Sequence, residues 1–528
     1  RQGRPLGDDA GFDAVVGNPP YVRQEALGPF KPYFAAAYPE TYHGVADLYV
    51  YFYQQGLRQL RCGGRMSYIV TNKWLRAGYG EPLRSYFASE GAVEEIVDFG
   101  HAPIFPDADV FPCIVVLRKP KADEDGANES VRVVEFPREA LDEVELDRYV
   151  EEHGHTVPRR RFGKAAWSLE PQAVDDLMEK IREKGIPLAE FTGVNPLAGI
   201  KTGLNEAFLV STAIRNRLIQ VHPSLIDHIR PYLRGRDIKR WSPSWEELWI
   251  ILLRSSNGFA WPWAGYEPKQ AEEVFRKTFP SLYDHMRSRK DRLQRRADQV
   301  RFWWELRSCA YYDVFDSANI FYQDLAFHSR FGIGRPKTIA EMTCFCLPTS
   351  DKWVLAVLNS PLLWAHMWRN VIHGKDEVLR LKNIYTEVLP IAPPTDEIRA
   401  EAEPAVERLI SLTKSGQEAR REMLDWLRTE FGVEKLGQKL EDFASLDADA
   451  FVEEVRKRRP KSEGRLTPAA LRDLRSGYTE MATPAREDRA EAAKLERRLS
   501  DLVNQAYGLT PEEVDFLWST APPRMPRF

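Results

Sequence analysis

Four consecutive residues, Asn18-Pro19-Pro20-Tyr21, carry the clearest chemical signal in this 528-residue chain. An exocyclic amine on an aromatic ring is a poor nucleophile, because its lone pair is delocalised into the ring. Two rigid acceptors correct that. The Asn18 side-chain oxygen and the Pro19 carbonyl can each take one N–H, drawing the nitrogen toward tetrahedral geometry with its lone pair facing an electrophile such as a methyl sulfonium. The consecutive prolines fix two φ angles and hold Asn18 extended. Tyr21 adds a ring on which an extruded base can stack, since an enzyme acting on a paired base must first take it out of the duplex. Neither a metal ion nor a covalent intermediate is required. The plainer alternative for the same residues is a stiff turn.

Charge and cysteine usage narrow the other possibilities. Lys and Arg number 74 against 78 Asp and Glu, and the net charge of −4 argues against a uniformly basic coat. Distribution matters more than the sum: basic residues concentrate in 158–164, 230–240 and 276–307, whereas acidic residues dominate 123–152. Cys62, Cys113, Cys309, Cys344 and Cys346 are odd in number and only the last two lie close, so neither a disulfide framework nor a metal site is expected. Gly78-Tyr-Gly80 and Gly332-Ile-Gly334 lack the G-x-G-x-x-G spacing of a dinucleotide loop and read as turns. No apolar run of membrane-spanning length occurs and the first residues form no apolar signal core, so a cytoplasmic protein without membrane contact is expected.

The reactive motif needs a scaffold, and residues 12 to 120 alternate short apolar runs with amphipathic stretches. Strands are expected at 12–16, 65–70, 93–97 and 113–117, with helices within 47–60 and 81–90, the pattern of a parallel α/β sheet. Asn18 follows the first strand directly, which puts the motif at the carboxyl end of that sheet, where open α/β proteins bind ligands. A charged, turn-rich stretch from 119 to 152 marks a boundary, and short strands, aromatics and Gly/Pro turns then continue to about Pro394. From Asp396 onward helix formers dominate, with apolar residues at helical spacing in Val406, Leu409 and Ile410 and in Leu495, Leu499, Leu502 and Val503. Gly508 suits a left-handed helix end, and Thr510-Pro511-Glu512-Glu513 offers an N-cap, an N1 proline and a capping-box glutamate. The expected organisation is an α/β unit over 1–120, a linker over 121–160, an α+β domain over 161–395 and a helical domain over 396–528.

At these residues the chain resembles the gamma class of amino-methyltransferases, in particular the type IIG restriction-modification enzymes and their Taq-type relatives. Beyond the four-residue motif, Asp47-Leu-Tyr-Val-Tyr-Phe52, Gly63-Gly-Arg-Met-Ser-Tyr-Ile-Val70, Asn72-Lys-Trp-Leu75 and Leu83-Arg-Ser-Tyr86 fall in the family's order and approximate spacing. The resemblance implies that residues 1–120 are the carboxy-terminal half of a Rossmann-like methyltransferase sheet. It also implies methyl transfer from S-adenosylmethionine to adenine N6 of a flipped base in double-stranded DNA. Asn18, Pro19, Pro20 and Tyr21 would be catalytic, and Phe105 in Ile104-Phe-Pro-Asp-Ala-Asp-Val110 would press on the base beside Tyr21; the alternative for Phe105 is a core aromatic. The family's glycine-rich cofactor loop lies upstream of this motif, and only seventeen residues precede Asn18. The expectation is therefore that the cofactor half is supplied by the same polypeptide or by a separate subunit, and that this chain alone is inactive or poorly active.

The second region resembles the Taq-type specificity domain through Gly199-Ile-Lys-Thr-Gly-Leu-Asn-Glu-Ala-Phe208, Ile229-Arg-Pro-Tyr-Leu-Arg-Gly-Arg-Asp-Ile238 and Trp303-Trp-Glu-Leu-Arg307. Lys201, Thr202, Arg234 and Arg236 are expected on phosphate-binding loops, and Arg307 beside Trp303 and Trp304 is placed to reach a base edge. Arg289, Lys290 and Arg292 are expected to track the DNA backbone from a basic helix. The bland alternative makes the tryptophans core aromatics and the basic residues a solvated rim. Three other functions remain open: cytosine-N4 transfer, protein glutamine methylation, and a DNA-specificity subunit without catalysis of its own. Asn18 and Tyr21 favour adenine over cytosine, and the large second region disfavours the glutamine reading.

Overall fold

In the computed structural model, residues 10–100, 102, 104–105, 110–121, 129–136, 145–297, 300–374, 377–460 and 464–528 are described. The chain divides into two units, residues 1–179 with 372–377 and residues 180–371 with 378–528.

The first unit is built on six strands: β1 (Phe12–Gly17), β2 (Leu60–Thr71), β3 (Ala92–Asp98), β4 (Pro112–Arg118), β5 (Ser130–Glu135) and β6 (His155–Pro158). Their spatial order is β1-β2-β4-β3-β5-β6. The four strands legible in the sequence are present, but the sheet is mixed rather than parallel. β1 runs parallel to β2 and β3 parallel to β5, whereas β4 runs antiparallel to both its neighbours and β6 antiparallel to β5. No helix lies among the described residues joining β3 to β4, in keeping with their antiparallel pairing. The stretch expected as a linker contributes β5, β6 and a helix, Leu146–His153. Val131, Val133 and Val157 on these strands are fully buried in the core, a period-two signal hidden by acidic surroundings.

Two helices, α1 (Lys31–Ala37) and α2 (Tyr49–Gln59), lie between β1 and β2, and α3 (Glu81–Glu90) precedes β3. On α2, a Cβ at Gly56 would overlap Met66 Sδ and the Tyr68 hydroxyl, so glycine there permits the close approach of helix to strand. Tyr53, Trp74, Phe87 and Trp167 pack edge to face and tilted, with ring centroids 5.2 to 6.2 Å apart, and anchor the core. Among the described residues β1 has a single neighbour, and its side chains Phe12 and Val16 are 60% and 81% exposed.

The second unit contains two four-stranded sheets. One has the order Ile339–Ala340, Ile229–Leu233, Leu248–Ile251, Leu209–Ser211; the other has the order Gly332–Ile333, Ile320–Gln323, Cys344–Leu347, Leu197–Ala198. Helices Pro268–Thr278 and Pro280–Arg287 contribute Phe275, Leu282 and Met286 to a core that also holds Trp263 and Trp304. The helical tail pairs a 36-residue helix, Asp396–Phe431, with a 39-residue helix, Pro468–Ala506. The expected cap of the last helix is present: Thr510 and Glu513 form the reciprocal capping box, and Gly508 has φ +66°. The tail does not stand apart as a separate domain. Trp241 Nε1 donates to Glu496 at 2.6 Å, Gln417 Nε2 to the Ser242 carbonyl at 3.0 Å and the Tyr507 hydroxyl to the Pro390 carbonyl at 2.5 Å. No helix among the described residues is long and apolar enough to cross a membrane.

Candidate functional site

β1, β2 and β3 run in one direction, so their carboxyl ends bring Asn18 to Tyr21, Asn72 and Asp98 to one edge of the sheet. The Asn18 side chain is exposed and Pro19 is buried beneath it. No hydrogen-bond partner among the described residues holds the Asn18 amide, which leaves its oxygen available to a ligand. Tyr21 is half-buried, and its hydroxyl donates to the Ile69 carbonyl at 3.2 Å on β2. Burial, with the Cys113 thiol beside it, pushes the Tyr21 hydroxyl up to about 12, so the ring stays neutral. Phe105 lies next to it: the two rings meet edge to face, with centroids 6.3 Å apart and planes at 64°. The sequence segment that separates these rings thus returns to the motif, and Phe105 is half-buried rather than lost in the core.

Three groups that the motif alone does not reveal stabilise this edge. Asp47 accepts the Gln24 backbone N–H at 2.9 Å, and Leu48 N–H donates to the Val22 carbonyl at 3.0 Å, so the loop after Tyr21 is tied to the start of α2. Burial raises the Asp47 carboxyl, against the Gln24 N–H that favours its charged form. Asn72 donates to Asp98 at 2.9 Å, and Asp98 also accepts the Gly100 N–H at 2.9 Å. Asp47 and Asn72 stand inside segments that carry the family resemblance, but only the fold assigns them a physical task. A polar cavity of about 770 Å³ opens at the opposite edge of the sheet, where Arg118 pairs with Glu94 at 2.7 Å and Arg159 pairs with Glu129. Its charges are internally matched and it is remote from the motif.

The described residues do not complete a pocket for S-adenosylmethionine. Among the described residues no strand pairs with β1 on the side away from β2. Asn18, Pro19 and the neighbouring strand ends can form one wall of such a site.

The ten expected DNA contacts separate into two sets. Lys201 is half-buried and makes an interaction of its own, and Arg236, Arg292 and Arg307 are exposed, although Arg236 lies 3.8 Å from Asp237 and Arg292 pairs with Glu206. The others are engaged within the fold. Thr202 is buried and its hydroxyl bonds Asn205. Arg234 binds Asp237 and Glu246 at 3.1 Å each and caps the turn at 235–237. Arg289 donates to the His285 carbonyl at 2.8 Å. Lys290 binds Glu272 at 2.6 Å, and Trp303 Nε1 reaches the same carboxylate at 3.2 Å. Trp304 is a core residue, stacked between Phe302 and Phe275 at 4.9 and 5.1 Å. Within the basic stretch near 290, Lys290 and Arg292 are matched by carboxylates of other helices, Glu272 and Glu206.

Comparison with known proteins agrees with these two regions. Residues 3–105 match the Eco57I restriction-modification methylase family, residues 230–391 the TaqI-like C-terminal specificity domain, and residues 395–503 a domain of unknown function. The type II methyltransferase M.PaeR7I of Pseudomonas aeruginosa is 30% identical over 259 residues, 47% of this chain and 42% of that protein. M.XhoI of Xanthomonas vasicola is 39% identical over 111 residues, 21% of this chain and 20% of that protein. The type IIL restriction-modification enzyme MmeI, solved in complex with DNA, covers 96% of this chain and 56% of its own with 14% identity and a TM-score of 0.49. The chain thus spans less than half the length of these two curated relatives. Residues 3–105 are thus similar to the Eco57I restriction-modification methylase family, and residues 230–391 of the same chain to the TaqI-like C-terminal specificity domain.

Proposed function

We propose that this chain carries the amine-activating and DNA-reading parts of a site-specific DNA methyltransferase of a type IIG-like restriction-modification system. The reaction is transfer of a methyl group from S-adenosylmethionine to adenine N6 of a base flipped from double-stranded DNA. The observation that carries this reading is the unpartnered Asn18 amide at a strand end, beside the Tyr21–Phe105 pair. Asn18 Oδ1 and the Pro19 carbonyl accept the two N6 hydrogens, and localise the amine's lone pair as it becomes a nucleophile. Tyr21, kept neutral and oriented by its bond to Ile69, offers a face to the extruded base, and Phe105 closes one side. Stacking there offsets part of the few kcal/mol that extrusion costs.

The open outer side of β1 supports a second element of the proposal. Exposed Phe12 and Val16 on an unpaired edge suit further strands of the same sheet, supplied by the same polypeptide or by a separate subunit. Those strands would bring the remaining walls of the S-adenosylmethionine site, whose bound cofactor supplies the electrophilic methyl group. The same open edge favours the competing reading of a DNA-specificity subunit without catalysis.

The test is methylation mapping by single-molecule sequencing of plasmid DNA from cells expressing this chain alone or with the coding sequence preceding it. N6-methyladenine at one short word in the second case, lowered about 100-fold or more by Asn18→Ala, is the expected result. Duplex binding without methylation in both cases would replace the enzyme reading by the specificity-subunit reading, and N4-methylcytosine would change the target base.

A further inference from the structure

Two arginines of the second unit are held together with no ion pair to a carboxylate among the described residues, although Glu247 accepts the Thr212 hydroxyl at 3.3 Å nearby. Arg215 lies on the helix Thr212–Val221, and Arg335 follows the strand Gly332–Ile333. Arg215 Cζ sits 3.9 Å from the Trp249 ring centroid, while Arg335 Cζ sits 4.2 Å from that of Trp245 and 6.0 Å from that of Trp249. The two indoles meet edge to face at 4.8 Å and 88°. Both are fixed by their N–H groups: Trp245 Nε1 donates to the Leu248 carbonyl at 2.8 Å, and Trp249 Nε1 to Thr212 Oγ1 at 3.0 Å.

Four other cations of this unit are matched by carboxylates. Arg230 pairs with Asp316 at 2.6 Å, Arg254 with Asp313 at 2.7 Å, Lys337 with Asp227 at 2.8 Å and Arg234 with Glu246 at 3.1 Å. Among the described residues Arg215 bonds only the Asn216 amide oxygen, at 3.0 Å, and its buried Nε has no partner. Arg335 contacts the two indoles and, among the described residues, forms no ion pair. Burial, and then the charge of Arg215, lower the Arg335 guanidinium from its ordinary basicity. Aromatic faces restrain the two planar cations while leaving their N–H edges free to donate, and a guanidinium edge matches two phosphate oxygens. None of the four residues stands out in the sequence, because they come from three separate segments.

We propose that Arg215 and Arg335, stacked on Trp249 and Trp245, form a clamp for the phosphodiester backbone of duplex DNA. This rests on the reading of the chain as a DNA-acting protein. The clamp positions the duplex and is indifferent to base sequence, since phosphate contacts carry none.

The experiment is fluorescence anisotropy of the full chain with a short random-sequence duplex over a series of KCl concentrations. The double variant Arg215→Gln/Arg335→Gln is expected to bind about tenfold more weakly near 0.1 M salt, and to lower the slope of log K against log salt by about 1.8, as two phosphate contacts are lost. Lysine at both positions keeps the charges and most of the slope. Unchanged affinity and slope in the double glutamine variant overturn the clamp while leaving DNA binding intact. A parent chain that binds no duplex overturns both the clamp and the reading beneath it. Protection of both arginines from phenylglyoxal by inorganic phosphate but not by duplex reassigns the pair to a free anion and also overturns the clamp. A measurement without substitutions guards against misfolding: duplex is expected to protect both arginines of the parent from phenylglyoxal, and no protection refutes the proposal.

Discussion

Glu272 decides whether the basic stretch around residue 290 serves the fold or DNA. Its carboxylate accepts Lys290 Nζ at 2.6 and 2.9 Å, Trp303 Nε1 at 3.2 Å and the Tyr283 hydroxyl at 3.0 Å. Replacing it by glutamine removes the charge and one acceptor. The Lys290 and Glu272 side chains are 33% and 23% exposed, so the lost ion pair accounts for about 0.5 to 1 kcal/mol after solvent screening. The amide oxygen can serve one of the two neutral donors well, and the other loses its bond for about 1 to 1.5 kcal/mol. Glu272→Gln is therefore expected to destabilise the second unit by about 2 kcal/mol, measured by urea unfolding with near-ultraviolet circular dichroism. Burial raises this carboxyl, but the bonds from Lys290, Trp303 and Tyr283 outweigh it and hold it below its ordinary value. The unfolded chain thus binds a proton at higher pH than the folded one. The contribution is present above an unfolded value of about 4.3 and is lost as pH falls through the lower folded value, so the variant should approach the parent in acid. A variant as stable as the parent at neutral pH would refute the reasoning. So would a Lys290→Ala variant that lowers the salt slope of duplex binding by about 1, because a matched lysine is not expected to release counterions from DNA.

Two further perturbations test the interior of the same unit. Trp304→Ala should cost about 3 to 5 kcal/mol in urea unfolding because its ring is 1% exposed between Phe275 and Phe302, whereas exposed Arg307→Ala should stay within about 0.5 kcal/mol of the parent; equal effects would contradict this placement. Glu305 is fully buried and accepts Ser256 and Trp263, yet burial outweighs these bonds and raises its carboxyl. Here the folded state holds its proton longer, so stability is greatest below an unfolded value of about 4.3 and declines as pH rises through the raised folded value. Glu305→Gln should flatten that part of the stability profile, and an unaltered pH dependence would count against a raised carboxyl at this position.

Local information in the sequence determined the candidate motif and much of its setting. Asn18-Pro19-Pro20-Tyr21 is legible because its chemistry depends on adjacent residues and on the strand just before it. The first four strands and the cap at Thr510 to Glu513 are legible for the same reason: period-two burial and capping are short-range patterns. Tertiary structure decided what depends on distant partners. It brought Phe105 to Tyr21, tied the motif loop to Asp47, and made β4 antiparallel to both its neighbours. It also turned an acidic stretch with little apparent periodicity into β5 and β6. The largest difference concerns charge. A run of lysines and arginines reads alike whether it faces solvent, DNA or a carboxylate, and only the fold distinguishes Lys290, matched by Glu272, from Arg215 and Arg335, which lie on tryptophan faces with no ion pair among the described residues. Motif chemistry is encoded locally, but the net charge offered to a partner is a sum over side chains that the chain itself brings together.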